Sequence, residues 1–210
     1  MDKNKAIQSV NEIKELMERS SKFVSLSGLT GILVGIYSLI GSWLAVRALG
    51  LQDITTGTYS KVLNVTTPMR LKVIVILAAG VLVASIITAF AISYYKSRKS
   101  KQKLFNKLTY RLIWNFSIPL LTGGLFCMAL LYHGHYGLTS SVMLLFYGMT
   151  LVNVSKYTFS NIGWLGYTFV VLGLLDCFFE GHGLLFWTLG FGVLHIIYGV
   201  LFYFLYERNK

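Results

Sequence analysis

The chain has 210 residues, of which 55% are hydrophobic and 13% are charged, with a formal net charge of +11. A soluble domain carries about 25% charged residues, so this composition leaves too little polar surface to cover a water-soluble fold of this size. An ordinary soluble enzyme or binding domain is therefore disfavoured, and the class indicated is an integral membrane protein.

The first 22 residues differ from the rest of the chain, because charged and apolar residues alternate there with a helical period. The apolar positions recur at spacings of three and four residues: Ala6, Ile7, Val10, Ile13 and Met17. This pattern predicts an amphipathic cytoplasmic helix at 1–22 in front of a transmembrane bundle at 23–207. The helix could lie on the membrane surface, pack on the bundle, or join a cytoplasmic protein partner.

Six apolar segments follow, each long enough to cross a hydrocarbon core of about 30 Å, which takes about 20 helical residues. They cover residues 23–48, 71–95, 112–133, 138–155, 162–179 and 184–205. Helices are expected because every backbone polar group in lipid needs a partner within its own segment. The predicted fold class is an all-α integral membrane protein, a bundle of six transmembrane helices with an N-terminal amphipathic helix.

Positive charge is concentrated between the second and third segments. That stretch contains no acidic residue and holds Lys96, Arg98, Lys99, Lys101, Lys103, Lys107 and Arg111. Because basic residues gather in cytoplasmic loops, we expect this inner-surface basic loop and both termini to lie in the cytoplasm. We expect a multi-pass protein of the bacterial inner (plasma) membrane. The clustering favours topology control over binding of nucleic acid or lipid headgroups.

Small residues recur inside the apolar segments, and Gly31 and Gly35 form a GxxxG pair. In lipid, glycines let helices approach closely, so the pattern predicts tight packing, with a hinge or a pore lining as the alternative. The third and fifth segments also end alike. Leu125-Phe126-Cys127 in one matches Leu175-Asp176-Cys177 in the other, as in the parallel repeats of some transporters.

Five side chains near the predicted outer ends could hold a transition metal: His133, His135, Asp176, Glu180 and His182. Imidazole and carboxylate ligands suit zinc, copper, nickel or iron. Asp176 and Glu180 are one turn apart, whereas His133 and His135 converge only if the helix ends near Gly134. The alternative is a set of hydrated side chains at the level of the lipid headgroups.

His195 is predicted to lie near the bilayer centre, about 17 Å into the sixth segment at 1.5 Å per residue. An intramembrane ionisable residue suggests function. The alternative is a neutral histidine hydrogen-bonded to a neighbouring helix. No second histidine lies at comparable depth in the sequence, which disfavours a bis-histidine haem site.

Three functions stay open, because the sequence has no HExxH, Gly-x-Ser nucleophile or phosphate-loop motif. The first is a small transporter or channel-like protein, alone or as a homo-oligomer. The second is a metal- or haem-dependent membrane enzyme or sensor built on the outer His, Asp and Glu residues. The third is a non-catalytic accessory protein that recruits a cytoplasmic partner.

Five short stretches spread over most of the chain carry a family resemblance: Ser25-Leu26-Ser27-Gly28, Ile118-Pro119-Leu120-Leu121-Thr122-Gly123-Gly124-Leu125-Phe126-Cys127, Phe146-Tyr147-Gly148, Ser155-Lys156-Tyr157-Thr158 and Gly190-Phe191-Gly192-Val193-Leu194-His195. They resemble small multi-span membrane proteins of Bacteroidota that have no assigned activity. The resemblance implies a membrane protein and supplies no catalytic residue.

Overall fold

The computed structural model describes residues 27–55, 67–99, 106–158, 161–179 and 181–208. Within these ranges all regular structure is helical, and six helices are long and apolar enough to cross a membrane. The predicted number of helices and the all-α class are confirmed. The amphipathic helix predicted for residues 1–22 lies outside the described residues.

The six helices follow the six apolar segments in chain order. They are α1 (Gly28–Leu49), α2 (Thr67–Lys99), α3 (Lys107–Tyr132), α4 (Thr139–Val154), α5 (Asn161–Phe178) and α6 (Gly183–Glu207). Short 3-10 turns, Tyr136–Leu138 and Ser155–Tyr157, extend α4 at both ends. Helix α6 is irregular, because it contains two wider π-helical stretches at Thr188–Leu194 and Tyr203–Glu207.

Helices α2 and α3 extend further into the basic stretch than predicted. α2 continues to Lys99, and α3 begins after Asn106, whose side chain accepts a hydrogen bond from the Thr109 N–H at 2.8 Å. The negative end of the α2 dipole favours basic residues in its last turn. The described members of the basic loop therefore lie in helices, and Lys101 and Lys103 lie outside the described residues.

Four helices form the centre of the bundle. Helix α4 packs on α3, α5 and α6, while α1 packs on α2 and α6. The buried core lies between α4 and α5 and includes Leu144, Leu151, Val154, Ile162, Leu165 and Phe169. Helices α2 and α3 are peripheral, because α2 packs on α1 and α3 packs on α4.

Glycines bring the central helices together at backbone distance. A Cβ on Gly199 would lie 2.6 Å from the Gly28 carbonyl oxygen, where α6 crosses α1. Where α4 crosses α5, a Cβ on either Gly148 or Gly166 would lie 2.8 Å from the carbonyl oxygen of the other. Real Cβ contacts essentially never fall under 3.0 Å. The tight packing predicted from the glycines is therefore confirmed.

The bundle has two chemically different ends. At one end, Glu207 of α6 pairs with Lys96 of α2 and accepts hydrogen bonds from the Ser27 hydroxyl and the Gly28 N–H, both at 3.2 Å. We call this the basic end, after the residues at its helix termini: Lys96, Lys107, Lys156 and Arg208. The opposite end, which carries His133, His135 and His182, is called the histidine end.

Pro119 lies inside α3 and leaves a carbonyl group without its helical donor. Because proline has no N–H, the carbonyl of Asn115, four residues earlier, loses its usual partner. Asn153 of α4 replaces it, since its Nδ2 donates to the Asn115 carbonyl oxygen at 3.1 Å. This hydrogen bond ties peripheral α3 to central α4.

Candidate functional site

Asp176, in the last turn of α5, is an acidic side chain buried between the helices, with 1% of its surface exposed. Its Oδ2 accepts hydrogen bonds from the hydroxyls of Ser140 at 2.6 Å and Ser141 at 2.9 Å, both in the first turn of α4. Its Oδ1 has no hydrogen-bond partner within the described part of the chain. The carboxyl group is therefore only half satisfied.

The helix termini act on Asp176 in opposite directions. The end of α5 carries the negative pole of its dipole, which disfavours an anion, and the start of α4 carries a positive pole, which favours one. A charge between transmembrane helices is expensive, and a buried unpartnered oxygen adds about 1–3 kcal/mol. The two serine hydrogen bonds and the positive pole of α4 offset part of this cost and join α5 to α4.

His182, six residues after Asp176, lies in the connection between α5 and α6. Its Nδ1 is buried and, among the described residues, has no hydrogen-bond partner. The rest of its ring is partly exposed at the histidine end. Two buried polar atoms without a partner among the described residues, Asp176 Oδ1 and His182 Nδ1, thus lie at the same end of the bundle. We call Ser140, Ser141, Asp176 and His182 the Asp176 site.

A partly open cavity of about 90 Å³ adjoins this site. Its walls come from the peripheral helices α2 and α3 and from α1, α4 and α6, and they are mainly apolar. Ser140 lines the cavity and also donates to Asp176, so one residue connects the cavity with the carboxyl group. Trp187 of α6 also lines it.

The predicted metal ligands are only partly described. His133 and His135 are exposed. Helix α3 ends at Tyr132 and Gly134 has a φ of 77°, so the helix ends near Gly134, which is the condition for the two histidines to converge. Within the described ranges, no three His, Cys, Asp or Glu residues are grouped to hold a metal ion, and Glu180 lies outside those ranges. The transition-metal site stays a prediction. The alternative of hydrated side chains at headgroup level fits the exposed His133 and His135, but it does not fit the buried Asp176.

His195 is buried against α4 and is 4% exposed. Its Nδ1 lies 3.3 Å from the Gly190 carbonyl oxygen, which can only accept, so Nδ1 carries the proton. In a neutral ring Nε2 then accepts from the Tyr147 hydroxyl at 2.8 Å. The rings of Phe169 and Phe191 complete its surroundings, at 5.3 and 6.1 Å between centroids. This geometry corresponds to the packed, hydrogen-bonded alternative.

A second buried polar contact joins α1 to α6 at the histidine end of the bundle. The Ser42 and Thr188 hydroxyl oxygens are 2.7 Å apart, and Thr188 donates to the Leu184 carbonyl oxygen at 2.6 Å. The shared proton therefore comes from Ser42. Both hydroxyl groups are satisfied, so this contact fixes helix packing.

The sequence indicated Asp176, His182 and His195 but not their partners. Ser140 and Ser141 carried a weak signal, because two adjacent serines open an apolar segment. A helical serine often bonds to a carbonyl of its own preceding turn. In the structure these two hydroxyls reach Asp176 instead, because of how α4 is aligned along α5, and the sequence does not show that alignment.

These features define the class of protein: a multi-pass helical membrane protein with a half-satisfied carboxyl group buried between its helices. No family model, curated protein or solved structure matches the chain. The resemblance to membrane proteins of Bacteroidota stays a prediction, and function has to be argued from the Asp176 site.

Proposed function

We propose that this chain is a small transport or channel-like protein that carries a monovalent cation bound by Asp176. The observation that carries the proposal is the Oδ1 of a carboxyl group that is 1% exposed and that has no hydrogen-bond partner among the residues the structure describes. Ionisable residues held inside a membrane commonly mark ion pathways. A cation at Oδ1 would neutralise the buried charge and supply the missing contact.

The donor set supports a monovalent ion. The site offers one carboxylate, and the Ser140 and Ser141 hydroxyl oxygens keep lone pairs after donating to it. Calcium usually takes six to eight oxygen ligands and magnesium keeps several waters, so a single buried carboxylate suits neither well. The C-terminal end of a helix, as at α5, also favours a cation.

The surroundings of the site support access from one end at a time. His182 leads from the end of α5 toward the surface of the histidine end, since the residue is partly exposed. Toward the basic end, Leu144 and Phe169 follow the site, and both are 0% exposed. This packing supports a cycle in which the central helices shift to open the site toward the basic end.

Proteoliposomes provide the test. We expect protein-dependent flux of H⁺, Na⁺ or K⁺ under an imposed gradient, at least about 10-fold lower in Asp176→Asn, because the amide carries no charge to bind a cation. Asp53→Asn is the matched control, since Asp53 is exposed and bonds locally to Thr55. Equal flux in the wild type and Asp176→Asn, or no flux above empty liposomes, would contradict the proposal.

We further propose that the basic end lies in the cytoplasm of a bacterial cell and the histidine end on the other side of the inner membrane. Lys96, Lys107, Lys156 and Arg208 support this orientation, because basic residues favour the cytoplasmic side. A reporter fused after Asp53 should report the periplasm, and one fused after Arg208 the cytoplasm. The opposite pattern would reverse the orientation and leave the cation proposal intact.

A further inference from the structure

We infer that the cavity beside the Asp176 site binds an alkylammonium ion, a lipophilic cation that enters from the lipid between α2 and α3. The inference rests on the proposed role of Asp176 as the cation-binding residue, and it names the class of substrate. Three observations carry it: the position of the cavity, the chemistry of its wall and its size.

The cavity lies where two peripheral helices leave a space. Helix α2 packs on α1 and α3 packs on α4, and the cavity is lined from both sides. Leu77, Ala78 and Val81 come from α2, and Leu131 comes from α3. The cavity is partly open, and these helices are apolar enough to lie in lipid. Entry of an apolar chain sideways from the membrane is part of the inference.

The wall is complementary to a cation. The Ser140 hydroxyl donates its proton to Asp176, so its oxygen is free to accept a hydrogen bond from an ammonium N–H. Hydrogen bonding to the carboxylate polarises that hydroxyl and strengthens the contact. The Trp187 ring, in the same wall, offers a face for cation–π attraction. None of the lining residues within the described part of the chain is basic.

The size of the cavity limits what it holds. Its volume of about 90 Å³ is smaller than the roughly 150 Å³ cavity that accepts one benzene molecule. It therefore holds an ammonium group and the first methylene groups of a chain, while the remainder stays among the lipid tails. Bulky aromatic cations and phospholipid headgroups are too large.

Equilibrium dialysis of radiolabelled octylammonium against the full chain in phosphatidylcholine nanodiscs tests the inference, with protein-free nanodiscs subtracted. We expect saturable binding to one site per chain. Octanol should compete at least about 10-fold more weakly because it carries no charge, and octanoate should not compete. Competition by octanoate equal to that by octylammonium would show a site for alkyl chains without charge recognition, and would overturn the inference.

A pair of variants on α2 separates cavity binding from partition into lipid. Ala78→Trp fills the cavity and should lower octylammonium affinity at least about 10-fold, whereas Ala79→Trp, on the exposed side of the same helix, should leave it unchanged. Equal binding in both variants would overturn the inference. Neither substitution touches Asp176, so a folding defect at the Asp176 site does not confuse the result.

Failure of this inference is distinguishable from failure of the proposed function. If octylammonium does not bind but inorganic cation flux still depends on Asp176, the cavity inference is wrong and the transport proposal stands. If octylammonium binds, depends on Asp176 and is blocked by Ala78→Trp while no cation flux occurs, the transport proposal is wrong and the binding site stands.

Discussion

The central and peripheral helices of this bundle are buried to different extents. In the most apolar part of each helix, the buried fraction is 44% in α4, 39% in α5, 33% in α6 and 28% in α1. The corresponding values are 11% in α3 and 0% in α2. The central helices pack on one another through glycines, whereas the peripheral helices expose most of their apolar surface.

The peripheral helices also pack closely on their neighbours, at Gly123 of α3 against Phe146 and at Gly41 of α1 against Val81 of α2, and a few polar links add to this packing. Helix α3 has the hydrogen bond from Asn153 to Asn115, and α2 has the Tyr37–Thr88 hydroxyl pair at 3.2 Å and the ion pair of Lys96 with Glu207. A helix attached in this way can move without dismantling the core. The cavity lies between these two helices, which makes its opening the easiest part of the bundle to change.

The largest expected effect comes from glycine substitutions that contrast the two regions. Gly199→Leu places a side chain against the backbone of α1, and overpacking of this kind costs about 1–3 kcal/mol or more. Gly124→Leu, on α3, meets no atom within 4 Å and should leave stability nearly unchanged. Thermal unfolding in detergent, followed by size-exclusion chromatography, measures both. Equal losses would show that the two regions pack alike.

The next effect is a gain in stability at the functional site. Asp176→Asn keeps an acceptor for Ser140 and Ser141 and removes a buried carboxylate. We expect the thermal midpoint to rise, with a stabilisation of about 1 kcal/mol, while cation flux is lost. A lower midpoint would show that the carboxylate is structural.

A smaller effect is expected where α3 meets α4. Asn153→Leu leaves the Asn115 carbonyl group without a donor and should destabilise the protein by about 1 kcal/mol. Pro119→Ala restores the helical N–H, so Asn153→Leu should cost less in that background. Thermal unfolding of the two single variants and the double variant gives the coupling. Additive losses would mean that Asn153 does not serve the carbonyl group freed by proline.

The smallest effect is expected at the basic end. Lys96→Gln removes the ion pair with Glu207, whose other partners, the Ser27 hydroxyl and the Gly28 N–H, remain. The lysine side chain is 34% exposed, so the loss should be under about 1 kcal/mol and should shrink further at high salt. A large, salt-independent drop in the thermal midpoint would show that this pair holds α2 on the bundle.

The helices and their limits could be predicted well because hydropathy and length determine them. The extension of α2 to Lys99 was missed, since charged residues lower hydropathy without ending a helix. The Gly31–Gly35 pair predicted close packing, but not that α6 would be the neighbour of α1. Helical periodicity indicates which side of a helix carries small residues, but it carries no information on which helix packs against that side.

The candidate site was less predictable, because its partners come from different helices. Asp176 was identified as an acid near a helix end, where water normally reaches it. Its burial depends on α4 starting directly beside it, with Ser140 and Ser141 in the first turn. Likewise, His195 was identified only by its predicted depth in the membrane. Its hydrogen-bonded packing depends on Tyr147, which is 48 positions away in the sequence.

The π-helical stretch Thr188–Leu194 has a consequence for the orientation of the second half of α6. A π turn accommodates one more residue than an α turn, so regular α-helical pitch over the same residues would rotate everything after it by about 100°. That rotation would carry His195 away from Tyr147 and Gly199 away from Gly28. The wider pitch of this short stretch therefore sets which face the second half of α6 turns toward the core.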